Sequence, residues 1–285
     1  MSEILELIIK TLGGISLKKL LTLFLFLAML IITACGTSNQ TDDQTGDTTE
    51  KKTLKVVTDA AYAPFEYLDK GELVGFDVDF IEAVAKEAGY EINIVNVGWD
   101  PVFVEVEDEI ADFGISAITI NDDRKQTYDF SVPYFLSTNK ILVPENSDIK
   151  SAADLEGKIV AVQNGTTGAD AIESLFGTNN SNIKKFENNN LAIMELLAGG
   201  ADAVVADNTV IEEYVKNNPS EKLIVVEDTG SFEAEYYGLM FPKGSELKAE
   251  FDEAINKVFE NGKYAEIYND WFGSDPDIDN LKSQQ

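Results

Sequence analysis

The chain contains no histidine among its 285 residues. Histidine is the commonest general base near neutral pH and the commonest metal ligand, so its absence removes the usual route to both. Catalytic triads built on histidine are excluded for the same reason. We therefore expect that the protein is not an enzyme and that it binds neither a metal nor any other cofactor.

Positive charge is also scarce. Lysine and arginine total 22 against 51 aspartates and glutamates, which gives a formal net charge of -29. Phosphate backbones need basic patches on their protein partners, so nucleic acid is excluded as a partner. The basic residues are nearly all lysines, and a lone arginine, Arg124, follows a run of small polar residues. A guanidinium binds a planar carboxylate through two parallel hydrogen bonds, which predicts a site for a small carboxylic acid.

Cysteine occurs once, at Cys35, so the chain cannot form an internal disulfide. Lys18 and Lys19 precede a short apolar run, residues 20–32, which is typical of a secretory signal and too short for a comfortable membrane span. Residues 32–35 (ITAC) resemble a bacterial lipobox, which implies cleavage before Cys35 and lipidation of its thiol. An uncleaved anchor with an incidental cysteine is the alternative.

The rest of the chain alternates between strand and helix patterns. Residues 36–52 contain no large apolar side chain, and this composition predicts a flexible tether. From residue 53 onward, apolar strands alternate with amphipathic helices, which indicates an α/β fold with mostly parallel sheets. Residues 113–118 are predicted as one strand, and Asp100 with Pro101 as the start of a helix.

Small polar, acidic, basic and aromatic side chains follow five of the predicted strands. In open α/β sheets, ligands bind beyond the carboxyl ends of the strands, so we expect these side chains to face one crevice. The candidate ligand-binding residues are Asp59, Tyr62, Trp99, Ser116, Ala117, Thr119, Arg124, Gln163, Thr166, Thr167 and Asp207.

The charges in this set suit a free amino acid. Arg124 and the amides of Thr166 and Thr167, at a helix start, can bind an α-carboxylate. Asp207 can bind an α-ammonium group, and Asp59 can reach a polar or cationic side-chain end. The two aromatic residues can enclose an aliphatic side chain or lie over a cation.

Each of these residues taken alone has a simpler explanation. The two aspartates could cap helices, the two threonines could form an ordinary N-cap, and the two aromatic residues could belong to the core. Arg124 could form a surface ion pair with Asp122 or Asp123. Their convergence at the strand ends favours the binding site.

Six motifs occur in order between residues 53 and 275. They are residues 59–66 (DAAYAPFE), 75–79 (GFDVD), 119–124 (TINDDR), 129–134 (DFSVPY), 165–168 (GTTG) and 262–273 (GKYAEIYNDWFG). Together they resemble the polar amino-acid-binding proteins of ABC importers, solute-binding protein family 3. With residues 232–238 (FEAEYYG), the resemblance is closest to glutamine-binding proteins.

The resemblance implies a periplasmic-binding-protein-like α/β fold, with two α/β lobes joined by a two-strand hinge and the ligand in the cleft. It implies that Arg124 and Asp207 hold the α-carboxylate and the α-ammonium group of an amino acid. Gln163 stands where glutamine binders have a lysine, and Ala117 where glycine is typical. The resemblance makes a glutamine-like ligand the first expectation. Loss of the lysine leaves Asp59 free to accept a cation, so arginine or lysine is the next.

The resemblance further implies an extracytoplasmic, lipid-anchored, monomeric binding protein, with the permease and ATPase subunits of an ABC transporter as partners. A dehydratase-type enzyme on the same fold and a ligand-sensing receptor domain are the alternatives. The expected segments are a signal peptide (1–34), a tether (35–52), lobe 1 (53–134 and 238–285), lobe 2 (139–232) and hinges (134–138 and 233–237).

Overall fold

The computed structural model describes residues 52–285. The expected signal peptide, the lipidation site Cys35 and all but the last residue of the expected tether lie outside the described residues. Among residues 52–285, no helix combines the length and the apolar character that crossing a membrane requires.

The described chain alternates between strands and helices. The strands are β1 (Thr53–Thr58), β2 (Ala61–Tyr62), β3 (Glu66–Asp69), β4 (Glu72–Val74), β5 (Glu91–Asn96), β6 (Phe113–Gly114), β7 (Tyr128–Phe130), β8 (Phe135–Pro144), β9 (Val160–Gln163), β10 (Ile183–Phe186), β11 (Ala203–Asp207), β12 (Leu223–Val226), β13 (Ala234–Tyr237) and β14 (Met240–Pro242). The helices are α1 (Phe76–Ala88), α2 (Trp99–Glu107), α3 (Arg124–Thr127), α4 (Thr167–Phe176), α5 (Asn189–Leu197), α6 (Asn208–Asn217), α7 (Leu247–Glu260), α8 (Lys263–Phe272) and α9 (Ile278–Ser283), with short 3₁₀ turns at Ala152–Leu155 and Pro219–Glu221.

The first lobe is built on a five-stranded sheet with the strand order β5-β1-β6-β14-β7. Strand β1 runs parallel to β5 and β6, whereas β14 runs antiparallel to β6 and β7. Helices α1, α7 and α8 pack together beside it. Their core is aromatic, because Phe76, Phe80, Phe251 and Tyr264 are all fully buried. A small antiparallel sheet, β2-β3-β4, precedes α1.

The second lobe is built on the sheet β10-β9-β11-β8-β12. Strand β9 runs parallel to β10 and β11, and β8 runs antiparallel to β11 and β12. Successive residues along the central strands pack into different clusters: Val143 and Val205 into one, and Leu142 and Val204 into another. Both faces of this sheet are therefore buried, which explains its nearly continuous apolar strands.

Three details of the predicted secondary structure were wrong. Both sheets are mixed and not mostly parallel. Strand β8 is antiparallel to β11 in the second sheet, and β14 is antiparallel to β6 in the first. The strand predicted at 113–118 ends at Gly114, since the chain turns at Ala117, whose φ is 45°. Helix α2 begins one residue before Asp100, with Gly98 as its N-cap residue.

Two strands connect the lobes. Strand β8 leads the chain from the first sheet into the second, and β13 leads it back. The two pair in antiparallel fashion, with Phe135 opposite Tyr237 and Thr138 opposite Ala234. These paired residues fall within the segments 134–138 and 233–237. The expected lobe and hinge boundaries themselves stay a prediction.

Candidate functional site

A cleft between the lobes is lined by ten of the eleven candidate residues. They are Tyr62, Trp99, Ser116, Ala117, Thr119, Arg124, Gln163, Thr166, Thr167 and Asp207. The eleventh, Asp59, has its carboxylate 3.5 Å from Nε2 of Gln163. The cleft encloses about 10 Å³, which is about the space that one water molecule needs. This space is too small for a ligand the size of an amino acid.

The guanidinium of Arg124 lies at the first-lobe wall of this cleft. It donates hydrogen bonds to the carbonyl oxygens of Thr119 (2.9 Å) and Gly165 (3.2 Å), so it bridges the two lobes. Its carbon lies 5.5 Å from the ring centre of Trp99 and 5.1 Å from that of Phe103. Among the described residues it forms no ion pair, which rules out a surface pair with either neighbouring aspartate. Burial lowers its pKa, but a guanidinium stays charged at neutral pH.

The carboxylate of Asp207 faces the cleft from the second lobe. Asp207 ends β11 just before α6, yet its side chain makes no capping bond to that helix. Instead it accepts hydrogen bonds from the hydroxyl groups of Tyr62 and Tyr237, each at 2.5 Å. Burial raises its pKa, while the two tyrosines and Arg124 oppose that shift. Burial and the nearby Asp207 raise the pKa of both tyrosines well above the usual value, so both act as neutral donors.

The end of the cleft beside Asp59 is acidic. Asp59 lies between β1 and β2, so it caps no helix, and its backbone N–H donates to the hydroxyl of Ser116 at 3.1 Å. Burial raises its pKa to about 6, and the charges of Glu187 and Asp100 add to that shift, whereas Gln163 opposes it. Within residues 52–285, no lysine or arginine forms an ion pair with any of these three acids.

The two threonines at the start of α4 have different partners. Thr166 is the N-cap residue, since its hydroxyl accepts from the N–H of Ala169 at 3.2 Å and donates to the carbonyl of Gln163 at 2.9 Å. The simpler interpretation of Thr166 as a helix cap is thus correct, although it also lines the cleft. The hydroxyl of Thr167 donates to Glu235 at 2.8 Å and accepts from the side-chain amide of Asn139 at 3.4 Å.

Glu235 and Tyr237 join the site from the connecting strand β13, and sequence reasoning missed both. The carboxylate of Glu235 accepts hydrogen bonds from Thr119, Thr167 and Asn139 at 2.8 to 2.9 Å. Burial, with a smaller contribution from Asp207, raises its pKa to about 7. The available signal was their spacing, because residues two apart in a strand lie on the same face.

Two buried acids support the loop that carries Ser116 and Ala117. Ser116 donates its hydroxyl to Glu66 at 2.6 Å, and the N–H of Ala117 donates to Asp77 at 2.8 Å. Tyr134 also donates to Asp77, at 2.8 Å. Ala117 has the left-handed φ of 45°, which is costly for a residue with a side chain, and the bond to Asp77 helps to hold it there.

Burial favours the protonated forms of the same two acids. Both side chains are fully buried, and burial raises the pKa of Glu66 well above its usual value and that of Asp77 to about 6. One oxygen of each, Oε2 of Glu66 and Oδ1 of Asp77, has no hydrogen-bond partner among the described residues. Protonation of either acid removes one of two neighbouring buried charges, which is why burial favours it.

Residues 54–274 match the family of bacterial extracellular solute-binding proteins, family 3. The chain belongs to this family. Its fold is that of the periplasmic binding proteins, with two α/β lobes and the cleft between them.

Individual relatives cover nearly the whole of this solute-binding protein. It is 38% identical over 263 residues to a probable histidine-binding protein of Neisseria gonorrhoeae, which covers 91% of this chain and 97% of the relative. It is 32% identical to the arginine-binding extracellular protein ArtP of Bacillus subtilis (strain 168), over 90% of this chain and 98% of ArtP. Neither of these two relatives is named for glutamine.

A solved structure is more similar still. It is that of ArtJ, the arginine-, lysine-, histidine-binding protein from the thermophilic bacterium Geobacillus stearothermophilus. The two chains are 57% identical with a TM-score of 0.80, and the match covers 81% of this chain and 100% of ArtJ.

A larger cavity, of about 460 Å³, lies beside β7 on this solute-binding protein. Lys125, Lys243 and Lys248 line it, together with the last two residues of the chain. Lys243 and Lys248 pair with Asp129 and Asp252, so much of its positive charge is neutralised. None of the eleven candidate residues lines this cavity, and the cleft remains the candidate site.

The raised pKa values of Glu66 and Asp77 make the stability of this protein depend on pH. Because the pKa values of Glu66 and Asp77 are raised in the folded state, that state binds more protons than the unfolded chain. The free energy of unfolding should therefore fall as pH rises above about 4, near the ordinary pKa of these groups, and through about 6, the pKa of folded Asp77. Glu66→Gln supplies a permanent N–H donor, so we expect a flatter dependence in urea denaturation at a series of pH values. The exposed Glu72→Gln is the control, and equal slopes in both variants would contradict a raised pKa for Glu66.

Proposed function

We propose that this solute-binding protein captures a cationic amino acid, namely arginine, lysine or histidine, outside the cytoplasm and delivers it to an ABC importer. One observation carries the proposal. Arg124 and Asp207 face the same cleft from opposite lobes, as a cation and an acid. An amino acid presents a carboxylate and an ammonium group on one carbon, and this pair can bind both at once.

The acidic end of the cleft favours a cationic side chain over glutamine. Asp59 lies there with Asp100 and Glu187 close enough to raise its pKa, and with the neutral Gln163 beside it. A guanidinium or ammonium group would offset this buried negative charge, whereas the neutral amide of glutamine would not. Glutamine is the second candidate, because Gln163 and Asp59 can also hydrogen-bond an amide.

The three relatives described above support the same choice. Their names give histidine, arginine, or arginine with lysine and histidine, and all describe binding proteins. This supports capture of an amino acid over a dehydratase-type reaction. Capture also suits the geometry, because a cleft of about 10 Å³ must open to admit a ligand and can close around it. Opening would bend the connecting strands β8 and β13 as a hinge.

The sequence around Cys35 supports a lipid anchor for the mature protein. In this proposal the signal peptide ends before Cys35 and the thiol of Cys35 carries the lipid. Residues 36–52 then tether the lobes to the cell membrane. Such an anchor would hold a monomeric binding protein close to the permease and ATPase subunits of its transporter.

The ligand class is tested by thermal unfolding of the protein with each common amino acid. A ligand at about 100 times its Kd adds about 2.7 kcal/mol to the free energy of unfolding, so arginine, lysine or histidine should raise the Tm clearly. Arg124→Ala should abolish this rise because the carboxylate loses its cation, while the adjacent Lys125→Ala should keep it. A full rise in Arg124→Ala would refute the role of Arg124.

Asp59→Asn tests the side-chain end of the cleft. We expect the Kd for arginine to rise about tenfold, the equivalent of one weakened charge pair, and the Kd for glutamine to stay nearly unchanged. Isothermal titration calorimetry measures both. Asp69→Asn, an exposed aspartate on β3, is the matched control. Equal losses for arginine and glutamine would mean that Asp59 does not select for charge.

Cys35→Ala tests the lipid anchor. Without the thiol no lipid can be attached, so the protein should move from the membrane fraction to the soluble fraction of cells that express it. Thr37→Ala, two residues away, should leave it in the membrane fraction. Membrane association that persists in Cys35→Ala would favour an uncleaved apolar anchor.

A further inference from the structure

Two asparagines of the chain are directly followed by glycine, at Asn164-Gly165 and at Asn261-Gly262. An asparagine in this position is prone to spontaneous deamidation, because glycine has no Cβ to shield its backbone nitrogen from the neighbouring side-chain amide. Both pairs are exposed, and both glycines have a left-handed φ, of 69° and 82°. The two pairs differ in what holds the asparagine side chain.

The side chain of Asn261 is held, whereas that of Asn164 is free to turn. Asn261 is the C-cap residue of α7, and its Oδ1 accepts from the N–H of Lys263 at 3.0 Å. Within residues 52–285, the side-chain amide of Asn164 has no hydrogen-bond partner, and the N–H of Gly165 donates to no backbone carbonyl. Asn164 can therefore turn its amide toward the nitrogen of Gly165 without first breaking a contact.

Gly165 is also a point of contact between the lobes. Its carbonyl oxygen accepts from the indole N–H of Trp99 at 3.3 Å and from the guanidinium of Arg124 at 3.2 Å. A Cβ on Gly165 would lie 3.3 Å from the same indole nitrogen and 3.8 Å from a carboxylate oxygen of Asp100. Residues 164–166 alone separate β9 from α4, so an extra backbone atom in this short turn would displace the carbonyl.

We propose that Asn164 is a site of spontaneous deamidation, and that its isoaspartate product breaks the contact of Gly165 with the first lobe. The nitrogen of Gly165 attacks Cγ of Asn164 and forms a new C–N bond. The side-chain amide nitrogen leaves as ammonia and takes with it the proton of the Gly165 N–H. A water molecule then opens the cyclic imide. Opening at the former side-chain carbonyl gives aspartate, and opening at the backbone carbonyl gives isoaspartate.

The two products differ in their effect on the turn. Isoaspartate carries the backbone through its former side chain, so the backbone gains one carbon and the carbonyl of Gly165 moves away from Trp99 and Arg124. Aspartate leaves the path of the backbone unchanged. Both products add a carboxylate next to the residue that Asp100 faces, and like charges repel. Comparison of the two products thus separates the effect of charge from that of the backbone.

Peptide mapping by mass spectrometry tests the site. The whole protein is kept in mildly alkaline buffer, either native or unfolded in urea, and the two Asn-Gly peptides are followed over time. In the native protein the peptide with Asn164 should gain about 1 Da. We expect this gain to be about fivefold faster than at Asn261, the factor to which one net hydrogen bond corresponds. In urea the two rates should converge, because neither side chain is held.

Two variants are the controls for this measurement. Asn164→Gln should abolish the gain in its own peptide, because the longer side chain does not form the five-membered ring readily, and Asn261→Gln should leave the gain at Asn164 unchanged. A native rate at Asn261 equal to or above that at Asn164 would overturn the proposal. It would also be overturned by rates that stay as far apart in urea, since the fold would then not be their cause.

Tryptophan fluorescence tests the effect on the contact between the lobes. The chain has two tryptophans, so Trp271→Phe leaves Trp99 as the only one. Trp99 is 8% exposed, and its emission should move to longer wavelength in the converted fraction as its indole loses the bond to Gly165. In the same background, Asn164→Asp should shift the emission less. Asn164→Gln, kept under the same conditions, should not shift it.

Unchanged emission in the fraction that contains isoaspartate would refute the effect on the contact. An equal shift in Asn164→Asp would refute the role of the longer backbone. Neither measurement uses a ligand, so the result does not depend on the proposed function.

Discussion

The pairing of β8 with β13 is the constraint on which the site depends. Four residue pairs, from Phe135–Tyr237 to Thr138–Ala234, hold the two connections between the lobes side by side. The strands do more than connect, because Glu235 and Tyr237 project from β13 into the hydrogen-bond network of the cleft. Any bending of this pair moves groups that contact both lobes. The strands that connect the lobes are therefore also part of the candidate site.

The sequence predicts most of the cleft because of one geometric rule. Side chains that follow parallel strands gather at one sheet edge, and in this protein two such edges face each other across the junction. Asp59 follows β1, Gln163 ends β9 and Asp207 ends β11, so their positions follow from the strand pattern alone. The motif resemblance adds that two lobes, and not one sheet, supply them. Ten of the eleven predicted residues line one cleft for this reason.

What the sequence does not predict depends on contacts between distant segments. Glu235 and Tyr237 lie within a strand, and no local pattern indicates that their partners Thr167 and Asp207 come from another lobe. The sequence does not predict the small antiparallel sheet β2-β3-β4, because strands of two to four residues are too short to show a period of two. The predicted strand through Ala117 failed because its left-handed backbone rests on Asp77, forty residues away.

Burial of the acids in and beside the cleft has two effects. It raises their pKa values, and it strengthens their attraction to a cation. Asp59, Asp207 and Glu235 all have raised pKa values, with burial as the main cause. Asp207 lines the cleft, the other two contact residues that line it, and Arg124 is the basic side chain in that lining. A buried carboxylate is costly to ionise without a nearby cation. The same low dielectric strengthens its attraction to a cation that enters. In the proposed function, a ligand with two cationic groups and one carboxylate adds positive charge where burial makes it most favourable, so closing the lobes around it strengthens every one of these contacts.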